Sequence, residues 1–124
     1  MDYKRDLEEL SRLLSELKED GRVKVVEGER DKKALEYFGI TNIKMIHGSS
    51  LAKLAGSVKG DVILLTDFDR TGGMLTKRLC ELFKNESIHV DLDYRREIRR
   101  YSKINEIEEL VAKYNKLEDK TKGD

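Results

Sequence analysis

The chain has no proline, no tryptophan and no glutamine, and a single cysteine among its 124 residues. Cys80 alone excludes an internal disulfide framework and a cysteine-rich zinc ribbon, and it points to a reducing, cytoplasmic setting. No apolar run approaches the roughly 20 residues that a membrane helix needs. The start, Met1-Asp2-Tyr3-Lys4-Arg5, carries no secretory signal pattern, so no membrane association is expected. Net charge is missing as well: 25 Lys and Arg offset 25 Asp and Glu, so the total selects neither a nucleic-acid binder nor an acidic tail.

What is present is a mixed, densely charged surface around a modest core. Hydrophobic residues make up 38%, enough for one compact domain at this length, and charged residues make up 40%. High Lys and Glu content with few thermolabile amides fits a thermophile's protein. Charge by segment is more informative than the total. Residues 70–103 carry nine basic and five acidic groups, whereas 1–20 and 104–124 are net negative. The positive excess follows directly on the acidic pair Asp67 and Asp69.

Leu7, Leu10, Leu13, Leu14 and Leu17 form one helical stripe that Gly21 would end. Val23, Val25 and Val26 read as a strand, and a helix over about 30–38 follows, stopped by Gly39. Ile43, Met45 and Ile46 suggest a second strand, with Ser49 or Ser50 capping a short helix after it. The continuous apolar run Val62-Ile63-Leu64-Leu65 is the pattern of a strand buried on both faces of a parallel sheet. Gly72-Gly73 leads into another helix, and Ile88, Val90 and Leu92 alternate as a fourth strand. Asn105 with Glu108 gives a capping signal for a last helix.

Strands alternating with helices at this spacing predict an α/β fold, with about four strands in a mainly parallel sheet and helices on both faces. As a single domain, it divides into an N-terminal helix over 1–21, a core with its C-terminal helix over 22–117, and a flexible tail over 118–124.

In such folds the residues just after the strands face the ligand. The first strand ends Val26-Glu27-Gly28 and the third ends Leu65-Thr66-Asp67-Phe68-Asp69. Side chains two apart on an extended segment point the same way, so Asp67 and Asp69 converge. Taken singly, an Asp-x-Asp is as well explained as loop acids or helix caps, and Glu27 as a solvated loop residue. Together at two strand ends they would repel one another, and a hard cation such as Mg²⁺ relieves that repulsion. The neighbouring glycines allow sharp turns and a close approach by phosphate.

VVEGERDKKALEYFGI followed by VILLTDFDRTGG resembles the Toprim domain of primases, type IA and type II topoisomerases, an rRNA-maturation nuclease and recombination-repair proteins. The family pattern places a Glu after the first core strand and an Asp-x-Asp after the third. The similarity covers about Arg22 to Asp91, and the chain as a whole resembles small stand-alone archaeal Toprim proteins. It implies a Rossmann-like Toprim fold and Mg²⁺-dependent chemistry on phosphodiesters, with Mn²⁺ as a substitute. Carried over, Glu27 is general acid/base or a ligand of the first metal, and Asp67 and Asp69 hold Mg²⁺. A chain this short lacks the tyrosine-bearing domain of a topoisomerase and the zinc domain of a primase, so a nuclease or RNA-maturation factor is expected. A non-catalytic module recruiting nucleic acid or a protein partner is the alternative, and a homo-oligomer stays open.

Arg95, Arg96, Arg99 and Arg100, with Arg70 beside the acids, read as a phosphate-contacting patch for RNA or DNA. The plainer reading is a solvated face paired with Asp91, Asp93 and Glu97. Asp31 reads as a helix N-terminal acid, His47 and His89 as surface or structural residues, and Cys80 as core packing.

Overall fold

The apolar run at Val62 lies near the middle of a four-stranded sheet in the computed structural model, which describes residues 2–48 and 50–122. The strands are β1 (Val23–Val26), β2 (Ile43–Met45), β3 (Val62–Leu64) and β4 (Val90–Asp91), in the order β2-β1-β3-β4. Every pairing is parallel, with Val25 opposite both Lys44 and Leu64, and Ile63 opposite Asp91. Covering both faces are α1 (Tyr3–Glu19), α2 (Glu29–Tyr37), α3 (Leu51–Ser57), α4 (Arg70–Asn85), α5 (Asp93–Ser102) and α6 (Leu110–Lys122).

The alternation along β1 and β3 sorts the core into two layers. Val26, Ile63 and Leu65 pack under the leucine stripe of α1 and residues of α2, α5 and α6. Val25, Val62 and Leu64 face Leu54 and Ala55 of α3 and Leu79 and Phe83 of α4. Burial of each such aliphatic side chain stabilises by about 1.5–3 kcal/mol. Lys24 on β1 is fully buried, and its ammonium donates to the backbone carbonyls of Asp20 and Thr41, which meets the cost of that burial. Gly39 closes α2 with φ +79°, where Ile40 N donates to the Leu35 carbonyl in the manner of a left-handed helix cap.

Several boundaries differ from the sequence expectation. Asp20, not Gly21, caps α1, and Ser50 caps α3 by accepting from Lys53 N at 3.1 Å, whereas Ser49 lies outside the described residues. The basic stretch after β4 is a full helix, α5. The tail expected over 118–124 is helical through Lys122. Buried Leu117, a 2.9 Å bond between Tyr114 Oη and Ser11 Oγ, and a 3.1 Å bond from Lys120 Nζ to Tyr3 Oη hold α6 against α1. Among the described residues no helix is long and apolar enough to cross a membrane.

Candidate functional site

From β1 the chain runs to β2 on one side, and from β3 to β4 on the other. The carboxyl ends of β1 and β3 therefore flank the point where the winding reverses, the usual crevice for a ligand in such sheets. Glu27 follows β1 and Asp67 follows β3, so the two acids meet there. Glu27 Oε2 accepts the backbone N–H of Asp67 at 2.7 Å. Asp67 Oδ1 accepts the N–H of Ile107 at 2.7 Å, and Asp69 Oδ1 accepts the N–H of Gly72 at 2.8 Å as the N-cap of α4. The other oxygen of each carboxylate accepts no hydrogen bond from an N–H or hydroxyl among the described residues. Each acid is thus oriented by one oxygen on a backbone N–H; Glu27 and Asp67 line the cleft, whereas Asp69 is exposed and is not among its lining residues.

A cleft of about 550 Å³ opens over this point, lined by Glu27, Asp31, His47, Asp67, Glu106 and Glu108 among others. Its electrostatics follow from burial. The Glu27 carboxyl is raised, first by desolvation and then by the charges of Asp67 and Asp69, with the Asp67 N–H pulling the other way. Asp67 is also raised by burial and by Asp31 and Asp69, against the Ile107 N–H. The two carboxyls interact directly, which favours a proton on Glu27. Asp31 is buried, raised by desolvation, and accepts Gly28 N at 3.1 Å, in keeping with its place as a helix N-terminal acid.

Glu106 and Glu108 were not anticipated as site residues. A 3₁₀ turn over Ile107–Glu109 carries them into the cleft, stitched to the β3 loop by Phe68 N donating to Asn105 O at 2.7 Å. The sequence held a signal, the acid-rich run after Asn105, but it read only as a cap. The observed box lies one residue later, with Glu109 Oε1 accepting Glu106 N at 2.8 Å. Glu106 is raised to about 7, mainly through its hydrogen bond with Glu108 and then by burial.

The four arginines of α5 do not share one role. Arg95 turns inward: its Nε donates to Thr66 O at 3.0 Å and its Nη2 to Asp67 O at 2.6 Å, with the guanidinium 5.1 Å over the Phe68 ring. It is therefore taken up by backbone rather than presented to a phosphate, since a fixed fork engaged on two carbonyls has little left to offer. Arg99 is exposed, 5.8 Å from the same ring. Arg96 pairs with Asp93 at 2.5 Å, and Arg100 lies 3.9 Å from Glu97 and over the Tyr101 ring. Arg70 is exposed at the start of α4.

Gly72 and Gly73 sit in the first turn of α4 rather than ahead of it. A Cβ on Gly72 would lie 1.9 Å from the Asp67 carbonyl oxygen, so a side chain there is excluded by the acid loop itself. His47 and His89 are exposed and Cys80 is half-buried. Asp91 is paired with Arg22 at 3.0 Å.

Among the described residues no group of three or more His, Cys, Asp or Glu side chains closes around a cation position. The donor chemistry nevertheless fits a hard divalent ion. Glu27, Asp67 and Asp69 offer oxygen only and are oriented by backbone amides, and the charges of Asp67 and Asp69 raise the proton affinity of Glu27. A metal that keeps several waters needs no closed cage.

No family model matches the chain. A UPF0292 protein of Thermococcus sibiricus is 36% identical over 117 residues, spanning 90% of this chain and 93% of that protein. UPF0292 proteins of Methanosarcina acetivorans and Methanocaldococcus jannaschii are 34% and 39% identical, covering 96% and 88% of this chain and 89% and 92% of theirs. A solved structure described as a putative protein from Aquifex aeolicus superposes with a TM-score of 0.75 at 34% identity, over 80% of this chain and 95% of that one.

Proposed function

We propose that this chain, which belongs to the UPF0292 protein family, is a Mg²⁺-dependent enzyme of nucleic-acid phosphodiester bonds, a nuclease or RNA-maturation factor of the Toprim type. One observation carries the reading: Glu27 and Asp67 meet in the cleft at the reversal of the sheet, each with one oxygen fixed on a backbone N–H, and exposed Asp69 stands two residues on with its own oxygen fixed on Gly72 N. A scaffold without chemistry has no need of mutually repelling acids held in this way.

In this reading Asp67 and Asp69 hold Mg²⁺, with Mn²⁺ as substitute. The bound ion neutralises charge on the transferring phosphoryl group. Glu27 holds a proton more tightly than an ordinary carboxyl, which suits it to move one to or from a reacting oxygen. Exposed Arg70, Arg96, Arg99 and Arg100 bind the nucleic-acid backbone. The unpaired Cys80 suits the reducing cytoplasm in which we place the enzyme.

A second reading, a binding module without catalysis, draws on the open arrangement of the acids. Incubating the protein with a panel of RNA and DNA substrates in Mg²⁺, Mn²⁺ or EDTA separates the two. Cleavage that requires the cation and is lost in Asp67→Asn and Asp69→Asn is the expected result. Binding without cleavage of any substrate in either metal would establish the module instead.

A further inference from the structure

We infer that Arg95 is a positioning residue of the acidic site: it holds the backbone that carries Asp67 and Asp69 and so sets how well those carboxylates take a divalent cation. The inference rests on the cation reading above. β4 is only two residues long and its pairing with β3 ends at Ile63–Asp91, so the loop beyond β3 has no neighbouring strand on that side. Arg95 takes that strand's place. Its Nε and Nη2 donate to the successive carbonyls of Thr66 and Asp67, which a planar fork can do and a single ammonium cannot match in geometry. Phe68, between the two acids, stacks under the same guanidinium.

The backbone of Asp67 is consequently held from three directions. Its N–H is fixed by Glu27, its carbonyl by Arg95, and its carbonyl oxygen abuts Gly72 so closely that no Cβ fits. Releasing Arg95 frees the carbonyl side while leaving the other two. The guanidinium charge also acts on Glu27, Asp67 and Asp69, which favour its protonated form against burial. Positive charge there opposes a second cation, whereas correct placement of the carboxylates assists it. The two effects separate when the charge is kept and the fork removed.

Arg95→Lys does this. The expected result is Mn²⁺ affinity, measured calorimetrically, weaker by roughly 10–100-fold, the usual loss when a group orienting the ligands is removed. Arg78→Lys, at an exposed position of α4 where the arginine pairs with Glu81, serves as the control and should match wild type. In EDTA, the salt dependence of nucleic-acid binding should be the same for Arg95→Lys and wild type, and it should flatten by about 1 in log–log slope for Arg99→Ala if Arg99 contacts a phosphate. Phe68→Leu, which removes the stacking partner without touching a charge, should weaken Mn²⁺ binding severalfold and decides the matter if Arg95→Lys does not fold. Unchanged Mn²⁺ affinity in a folded Arg95→Lys, or in Phe68→Leu where the first does not fold, overturns the inference and leaves the cation reading standing. Absence of Mn²⁺ binding by wild type overturns both together.

Discussion

The backbone N–H of Ile107 donates to Oδ1 of Asp67 at 2.7 Å across forty positions of sequence. This bond joins the loop after β3 to the turn that precedes α6, and it places Glu106 and Glu108 at the mouth of the cleft. A carboxylate that is candidate metal ligand and structural acceptor at once can be tested for each role separately.

Asp67→Asn keeps an acceptor for Ile107 and removes a charge that burial and Asp31 disfavour, so the metal-free fold should be as stable as wild type or slightly more. Mn²⁺ affinity should drop sharply. Asp67→Ala leaves the buried Ile107 N–H without its partner and should cost about 1–3 kcal/mol. Thermal melts in EDTA and calorimetric Mn²⁺ titrations of both variants read the two roles. Equal Mn²⁺ affinity in wild type and Asp67→Asn would move the cation away from this loop.

Much of this site was legible before the structure. Glu27, Asp67 and Asp69 announce themselves because β-branched runs locate the strand ends, and strand ends locate the ligand face of a parallel sheet. Glu106 and Glu108 did not, because their approach depends on long-range backbone bonds from Asp67 and Phe68 that leave no periodic trace. Arg95 looked like its three neighbours in sequence. Only the packing of α5 under the β3 loop distinguishes an arginine bound to two carbonyls from one facing solvent. The tail was misread for a similar reason: its composition is polar, and the anchors that keep it helical lie on α1.

Glycine chemistry at the start of α4 gives a sharp contrast between neighbours. Gly72→Ala would force Cβ into the Asp67 carbonyl, and the loop or the helix must shift, at about 1–3 kcal/mol. Mn²⁺ binding should fall with it. Gly73→Ala meets nothing within 4 Å and should be neutral or stabilising by up to about 1 kcal/mol. Melting temperatures of the pair decide this, and comparable losses in both would mean that the Gly72–Asp67 contact does not constrain the loop.

Glu106 ties stability to pH. Its carboxyl rises from an ordinary 4.5 to about 7, so between those values the folded state holds a proton that the unfolded chain has released. The associated stability is present below 4.5 and lost as pH climbs through about 7, and Glu27, Asp31 and Asp67 act in the same direction. Asp20, held at about 2 by Arg22, changes outside this window. In EDTA the melting temperature should therefore decline from pH 4.5 to 7, more gently in Glu106→Gln, with solvent screening keeping the effect small. Mg²⁺ should raise it more at pH 8 than at pH 5, since ligands must shed protons to bind. A metal-free melting temperature that climbs steadily to pH 8 would contradict the assignment.

Glu27→Gln separates proton transfer from metal ligation. A glutamine at this position retains a carbonyl oxygen for the Asp67 N–H, so the loop should keep its shape. Acting as general acid/base, Glu27 contributes a proton and little metal affinity. The substitution should then preserve most Mn²⁺ and nucleic-acid binding while single-turnover cleavage slows by roughly 10²–10⁴-fold. A metal ligand behaves differently: affinity and rate fall together, and high Mg²⁺ restores much of the rate. Single-turnover rates across a Mg²⁺ titration, on a substrate that wild type cleaves, distinguish these outcomes. Recovery at high Mg²⁺ would reassign Glu27 to the metal shell. An unchanged rate would remove Glu27 from the chemistry and, with it, the Toprim-type mechanism for this chain.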